Sequence, residues 1–162
     1  MKKSLVFLTA FSALFLVGAG TNALAGDTHQ PAEATVAAEE AQPTLFEQLG
    51  GQDAVKVAVD GFYDKVLADD RVNGFFEGVD MDRQRAMQTS FLTVAFGGPN
   101  NYDGKDLRAA HAHLVAKGLN DTHFDVILEH LGTTLKELGV KEELIQQAAD
   151  VANSVRGDIL GK

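Results

Sequence analysis

From Thr44 onward, apolar side chains recur at three- and four-residue intervals, the spacing of helices that bury one face. No stretch alternates apolar and polar residues as a strand would, so the pattern predicts an all-α domain. Leu45–Leu49 forms one helical turn, with Thr44 as N-cap, Glu47 as its capping-box partner and Gly50-Gly51 as its end. Over Asp53–Leu67, Val55, Val59, Phe62 and Val66 make an inner stripe, and Asp60, Asp64 and Lys65 cover the other side. Tyr63 falls at the edge of that stripe, where a buried phenol requires a hydrogen-bond partner.

Residues 69–74 break the helix, and Phe75-Phe76 follows; two adjacent aromatics cannot share one side of a regular element, so one belongs in the core and the other stacks elsewhere. Asp80 caps a helix running to about Phe96, with Gln84, Met87, Gln88, Phe91, Leu92 and Ala95 as its inner stripe. Two amides one turn apart on an apolar face are costly unless partnered. Taken singly, Met87 reads as core filler and the glutamines as helix-edge residues. Together with Tyr63 they form a cluster of donors around one pocket, with Met87 its one soft ligand.

Gly97-Gly98-Pro99-Asn100-Asn101 stops that helix, and an aperiodic loop to Lys105 leads into a short helix on which Leu107, Ala110, His111 and Leu114 share a face. An imidazole in the middle of an apolar stripe is either a core histidine bonded to backbone or a metal ligand. His113, about 200° further round, is expected to face water. Asn120 or Asp121 caps a long helix with Phe124, Ile127, Leu128, Leu131, Leu135 and Leu138 inward, ended by Gly139. One final helix then runs from about Lys141 to Leu160 on Leu144, Ile145, Ala148, Val151, Ala152, Val155 and Ile159. His123 and His130 read as structural.

The first 25 residues change the picture of where the domain works. Lys2 and Lys3, the apolar run Leu5–Val17 and the small-residue site Ala23-Leu24-Ala25 read as a cleavable secretory signal; a retained anchor is the alternative, although the run is short for a membrane span. Residues 26–43, rich in Ala, Glu, Thr, Pro and Gln, bury too little to fold and read as a linker, with His29 an incidental member. The folded domain is therefore residues 44–162, in a periplasmic or secreted setting. The net charge is −9, and loss of Lys2 and Lys3 with the signal takes it to −11, which argues against nucleic acid or anionic membrane as a partner. With no cysteine, disulfides, thiolate metal sites and thioether-linked haem are excluded, leaving His, Met, Tyr or carboxylates as ligands.

In order along the chain stand Leu45 followed by Leu49-Gly50-Gly51, then Phe62-Tyr63, Phe75-Phe76, Val79-Asp80-Met81, the stretch Gln84–Phe91, Phe96-Gly97-Gly98, and Leu107 four residues before His111. This ordered set resembles the group I truncated haemoglobins over essentially all of residues 44–159. The resemblance implies a truncated globin-like two-over-two helical sandwich around one haem b, held without covalent attachment: some family members link a histidine of the last helix to the haem, and that helix has none here. It further implies that His111 is the proximal iron ligand and that Phe76, with Phe75 as the alternative, stacks on the porphyrin. Tyr63 matches the distal tyrosine, Gln84 and Gln88 the distal amides, and Phe91 and Leu92 the pocket wall. Tyr102, Lys105 and Arg108 fall near the haem edge, or are solvated surface residues. Met87 stands where some members carry an iron-binding histidine, so a thioether there is a possible sixth ligand; packing over the haem edge is its other reading.

The resemblance implies binding of diatomic gases (O₂, NO, CO), held by hydrogen bonds from the phenol and amides to a partly negative oxygen, with turnover of NO to nitrate as a possible activity. A six-coordinate His111/Met87 electron-transfer protein with a periplasmic redox partner is the alternative. A helical interaction domain without cofactor is a third.

Overall fold

The computed structural model describes residues 42–162; the expected signal and all but the end of the expected linker, His29 included, lie outside them. The described residues contain seven α-helices and no strand. They are α1 (Leu45–Leu49), α2 (Gly51–Ala68), α3 (Met81–Ala95), α4 (Leu107–Ala116), α5 (Asp121–Glu137), α6 (Glu142–Ser154) and α7 (Arg156–Leu160), with a single 3₁₀ turn at Asn73–Phe76.

The caps at Thr44, Asp80 and Asn120 behave as the sequence predicts, and Asp106 adds one it did not single out. Thr44 and Glu47 close a reciprocal capping box, and α1 ends at Gly50, whose left-handed φ of 105° suits glycine. Asp80 accepts from the Arg83 N–H at the start of α3, Asp106 from Ala109 at the start of α4, and Asn120 from Thr122 and His123 at the start of α5. Gly98 is held by space: a Cβ there would lie 2.7 Å from the Phe46 ring and 2.8 Å from the Thr93 carbonyl. The loop after α3 therefore passes tightly over α1, where Phe46 N–H also donates to the Phe96 carbonyl.

α2 packs against α3 and α5, and α5 against α6, so two helix pairs meet through α2 and α5. Val55, Val59, Phe62 and Val66 are buried as expected, joined by Ala58 and Tyr63. With Val72, Leu92, Phe96, Val126, Leu131, Leu135, Ile145 and Ala148 they make one continuous core. An apolar cavity of ≈ 190 Å³ remains within it, lined by Val55, Ala58, Leu92, Phe96, Leu131 and Leu135 among others.

Three expectations need correction. The fully buried line of α3 is Thr89, Leu92, Thr93 and Phe96, whereas Gln84, Met87, Gln88, Phe91 and Ala95 are only half-buried. The helix is thus rotated by about one residue, or 100°, from the expected packing face. Thr89 and Thr93 survive burial because their hydroxyls are bonded, Thr89 to the Arg85 carbonyl at 2.8 Å and Thr93 to the Gln52 side chain at 3.3 Å. Leu138 is 47% exposed, because α5 ends just before it. The final helix is two helices, α6 and α7, parted at Val155. There the Ser154 hydroxyl donates to the Val151 carbonyl at 2.6 Å, a side-chain bond that competes with the helical ladder.

Candidate functional site

The half-buried face of α3 is one wall of the site, and α2 supplies its best-ordered group. Tyr63 is 2% exposed, set edge-on to Phe62 at 4.9 Å and to Phe76 at 5.7 Å. Gln84 Nε2 donates to its hydroxyl at 2.9 Å. The phenolic oxygen is therefore an acceptor in this pair, and its own proton has no acceptor among the described residues. Burial pushes the Tyr63 phenol above its usual range, against smaller opposing effects of the Gln84 bond and the Arg85 charge, so it stays a protonated donor at neutral pH.

Arg85, next along α3, fixes the distance between the two helices. Its guanidinium donates to the Asp60 carbonyl at 2.6 Å and to the Asp64 carboxylate at 2.8 Å, and lies 5.5 Å from the centre of the Tyr63 ring. The sequence reading missed this clamp, although Arg85 beside Gln84 and the acidic outer face of α2 were visible. Gln88 and Met87 are half-buried on the same side of α3 as Gln84, and the Gln88 amide has no hydrogen-bond partner among the described residues.

α4 carries His111, half-buried, with Leu107, Ala110 and Leu114 half-buried around it; His113 is exposed, as expected. His111 Nδ1 lies 2.8 Å from the Leu107 carbonyl, one helical turn back. A carbonyl only accepts, so Nδ1 carries the proton, and in the neutral ring Nε2 keeps a free lone pair. One nitrogen is thus satisfied by backbone, as a core histidine's would be, and the ring is oriented by that bond. No hydrogen bond joins His111 to the Tyr63–Gln84 pair.

The remaining expected residues divide. Phe76 and Phe91 pack on the core while staying half-buried, and Leu92 is buried within it, bordering the apolar cavity. Phe75 turns away to meet the His123 ring edge-on at 5.0 Å, so Phe76 is the aromatic at the site. Tyr102 lies edge-on to Phe91 at 5.7 Å and donates to the Lys105 carbonyl at 2.9 Å, while the Lys105 side chain is exposed. Arg108 donates to the main-chain oxygen of Lys162 at 2.6 Å. His123 belongs to the Asn120 capping box, and His130 lies 2.8 Å from the Asp69 carboxylate, so both are structural here.

A half-buried imidazole with an oriented Nε2, in a chain whose α3 carries a half-buried face with an aromatic, a thioether and amides, suits a flat apolar group with a metal at its centre. Among the described residues no cluster of three His, Cys, Asp or Glu could hold a bare metal ion.

Comparison with known proteins agrees with this geometry. Residues 44–160 match the family described as "Bacterial-like globin". The group 1 truncated hemoglobin of Tetrahymena pyriformis is 52% identical over 121 residues, covering 74% of this chain and 96% of the relative. That of a Synechocystis strain is 55% identical over 112 residues, covering 68% and 90%. The crystal structure of the 2/2 hemoglobin from Synechococcus sp. PCC 7002, described in its cyanomet state and with covalently attached heme, superposes with a TM-score of 0.71 at 48% identity, covering 74% of this chain and all of the other. The chain therefore belongs to the group 1 truncated haemoglobins of the bacterial-like globin family, a family of haem-binding proteins, and has their two-over-two helical fold.

Proposed function

We propose that this chain binds haem b through His111 and uses it to hold a diatomic gas, O₂ or NO, reversibly. The observation that carries the reading is the His111 ring, whose Nδ1 is fixed by the Leu107 carbonyl so that Nε2 is presented as a ligand. When bound, the haem supplies an iron centre with one position open to a small ligand. The chain's own residues do the rest. Phe76, Phe91 and Leu92 offer apolar surface to the macrocycle, and with Met87 they limit the access of water. The Tyr63 hydroxyl, already accepting from Gln84, directs its single proton toward a partly negative oxygen; Gln88 adds amide donors on the same side. Such donors slow escape of a polar ligand and favour O₂ over CO. Turnover of NO to nitrate fits the same pocket.

Haem is held without a covalent link in this reading, since α6 and α7 contain no histidine. Lys2, Lys3, Leu5–Val17 and Ala23-Leu24-Ala25 support export, and among the described residues no helix is long and apolar enough to cross a membrane.

A second reading rests on Met87, a soft ligand on the half-buried face of α3 between Gln84 and Gln88. Ligation by His111 and Met87 together would close the site to gas and suit electron transfer to a periplasmic redox partner. The spectrum of the ferrous protein after reconstitution with haemin separates the two. Gas binding predicts a five-coordinate high-spin form that takes up CO promptly. A six-coordinate low-spin form that turns high-spin in Met87→Ala contradicts it and supports electron transfer.

A further inference from the structure

The helix that carries His111 has little core of its own. No residue of α4 is fully buried, and the helix packs chiefly on α7, five residues at the end of the chain. A five-residue helix is too short to be stable by itself, so something else must hold it. That support comes from α5. Arg156, the first residue of α7, forms ion pairs with Asp121 and Asp125, and its guanidinium lies 4.3 Å from the centre of the Phe124 ring. Lys162 pairs with Asp121 as well, and Leu160 is buried. The Lys162 N–H returns to the Gly157 carbonyl at 2.9 Å and fixes the turn that ends α7.

A charged side chain of α4 crosses to this anchored segment. Arg108 Nη2 donates to the Lys162 carbonyl at 2.6 Å and lies 3.4 Å from the Asp158 carboxylate. Arg108 follows Leu107, whose carbonyl orients the His111 ring, so the strap grips α4 on the same turn that aims the imidazole. Because that aiming bond lies inside α4, the ring moves with its helix.

We propose that Arg108, α7 and the ion pairs of Arg156 form a strap that positions His111, so that the strength of proximal ligation is set by residues that do not touch the haem. Arg108 is then a positioning residue, and its main-chain partner lies 54 residues away. The inference rests on the reading of His111 as the haem ligand.

Two readouts test it on the full-length reconstituted protein: the iron–histidine stretching band of the ferrous form in resonance Raman, and the rate of haem loss to an excess of a haem-scavenging apoglobin. Arg108→Ala and Arg156→Ala are each expected to shift the band and to speed haem loss about fivefold, the scale of one ordinary hydrogen bond. Arg108→Lys, which can still donate to the carbonyl, recovers most of the loss. Asp125→Asn, a milder change that removes one ion pair of Arg156, shifts both readouts in the same direction and is read in parallel in case Arg156→Ala does not fold. If Arg108→Ala speeds haem loss while Arg156→Ala and Asp125→Asn match the parent, Arg108 acts at the haem edge and the strap is overturned. A parent band that none of the variants moves also overturns it. Parent-like haem retention in His111→Ala would instead overturn the ligand reading, and the strap with it.

Discussion

At the scale of single residues, the account turns on how hydrogen-bond donors are assigned. Tyr63 accepts from Gln84, so its proton is the one available for a ligand. Tyr63→Phe is expected to speed O₂ release about tenfold, the effect of losing a hydrogen bond of ~1.4 kcal/mol, and to lower stability by about 1 kcal/mol because the Gln84 amide loses its acceptor. Stopped-flow ligand displacement and a denaturant titration measure the two. An unchanged release rate would mean that the phenol points elsewhere. Both Tyr63 and His111 were legible in the sequence, because each interrupts an apolar helical stripe with a group that needs a partner. The sequence also grouped Gln84 with Tyr63; that a direct bond joins them was not legible, since they stand 21 residues apart and tertiary packing brings them together. Thr89 and Thr93 were missed for the opposite reason. Their polarity suggests exposure, while bonds to the Arg85 carbonyl and the Gln52 side chain permit burial.

At the scale of helices, α3 has two apolar faces with different duties. Helical periodicity reports that a side is apolar, not what covers it, so the sequence pointed to the stripe through Gln84, Met87, Gln88 and Phe91 as the packing face. In the structure the protein core takes the adjoining line, Thr89, Leu92, Thr93 and Phe96, and the first stripe remains half-buried. The rotation is held by Arg85, which reaches back to Asp60 and Asp64 on α2. Arg85→Met keeps the bulk of the side chain and removes the clamp. It is expected to cost about 2 kcal/mol, the range for hydrogen bonds to a charged group, and to weaken haem binding as the Tyr63–Gln84 contact loosens. Equal stability and haem affinity in the variant would show that apolar packing alone sets the α2–α3 spacing. The break at Val155 was hidden likewise, since the stripe of α6 continues in phase through it; only Asn153-Ser154 hinted at a stop.

For the molecule as a whole, polar ties between distant segments close the fold around the site. Asp69, at the end of α2, meets Arg71 and His130 on α5, and Arg71 also meets Glu129. The Arg71 guanidinium, with smaller help from His130, holds the Asp69 carboxyl far below the ordinary range. A depressed carboxyl contributes stability that is full above its unfolded value near 4 and is lost as pH falls below that value. Thermal melts between pH 7 and pH 2 should therefore converge for the parent and Asp69→Asn at the acid end and diverge above about pH 4. A gap independent of pH would assign the contribution of Asp69 to its cap of α2 alone. The general plan, a helical domain around one histidine, was readable from spacing and from the ordered motifs. The long-range ties were not, because no local pattern marks which surface arginine meets which acid.

The central claim is that His111 is the one protein group that holds the haem. Titration of haemin into the purified apoprotein, followed by the Soret band, tests it in His111→Ala and His113→Ala side by side. The account predicts parent-like affinity and spectrum for His113→Ala and a loss of more than about a hundredfold for His111→Ala, beyond what removal of an outer partner of a metal ligand costs. Parent-like binding by His111→Ala, with an unchanged spectrum, would contradict the account.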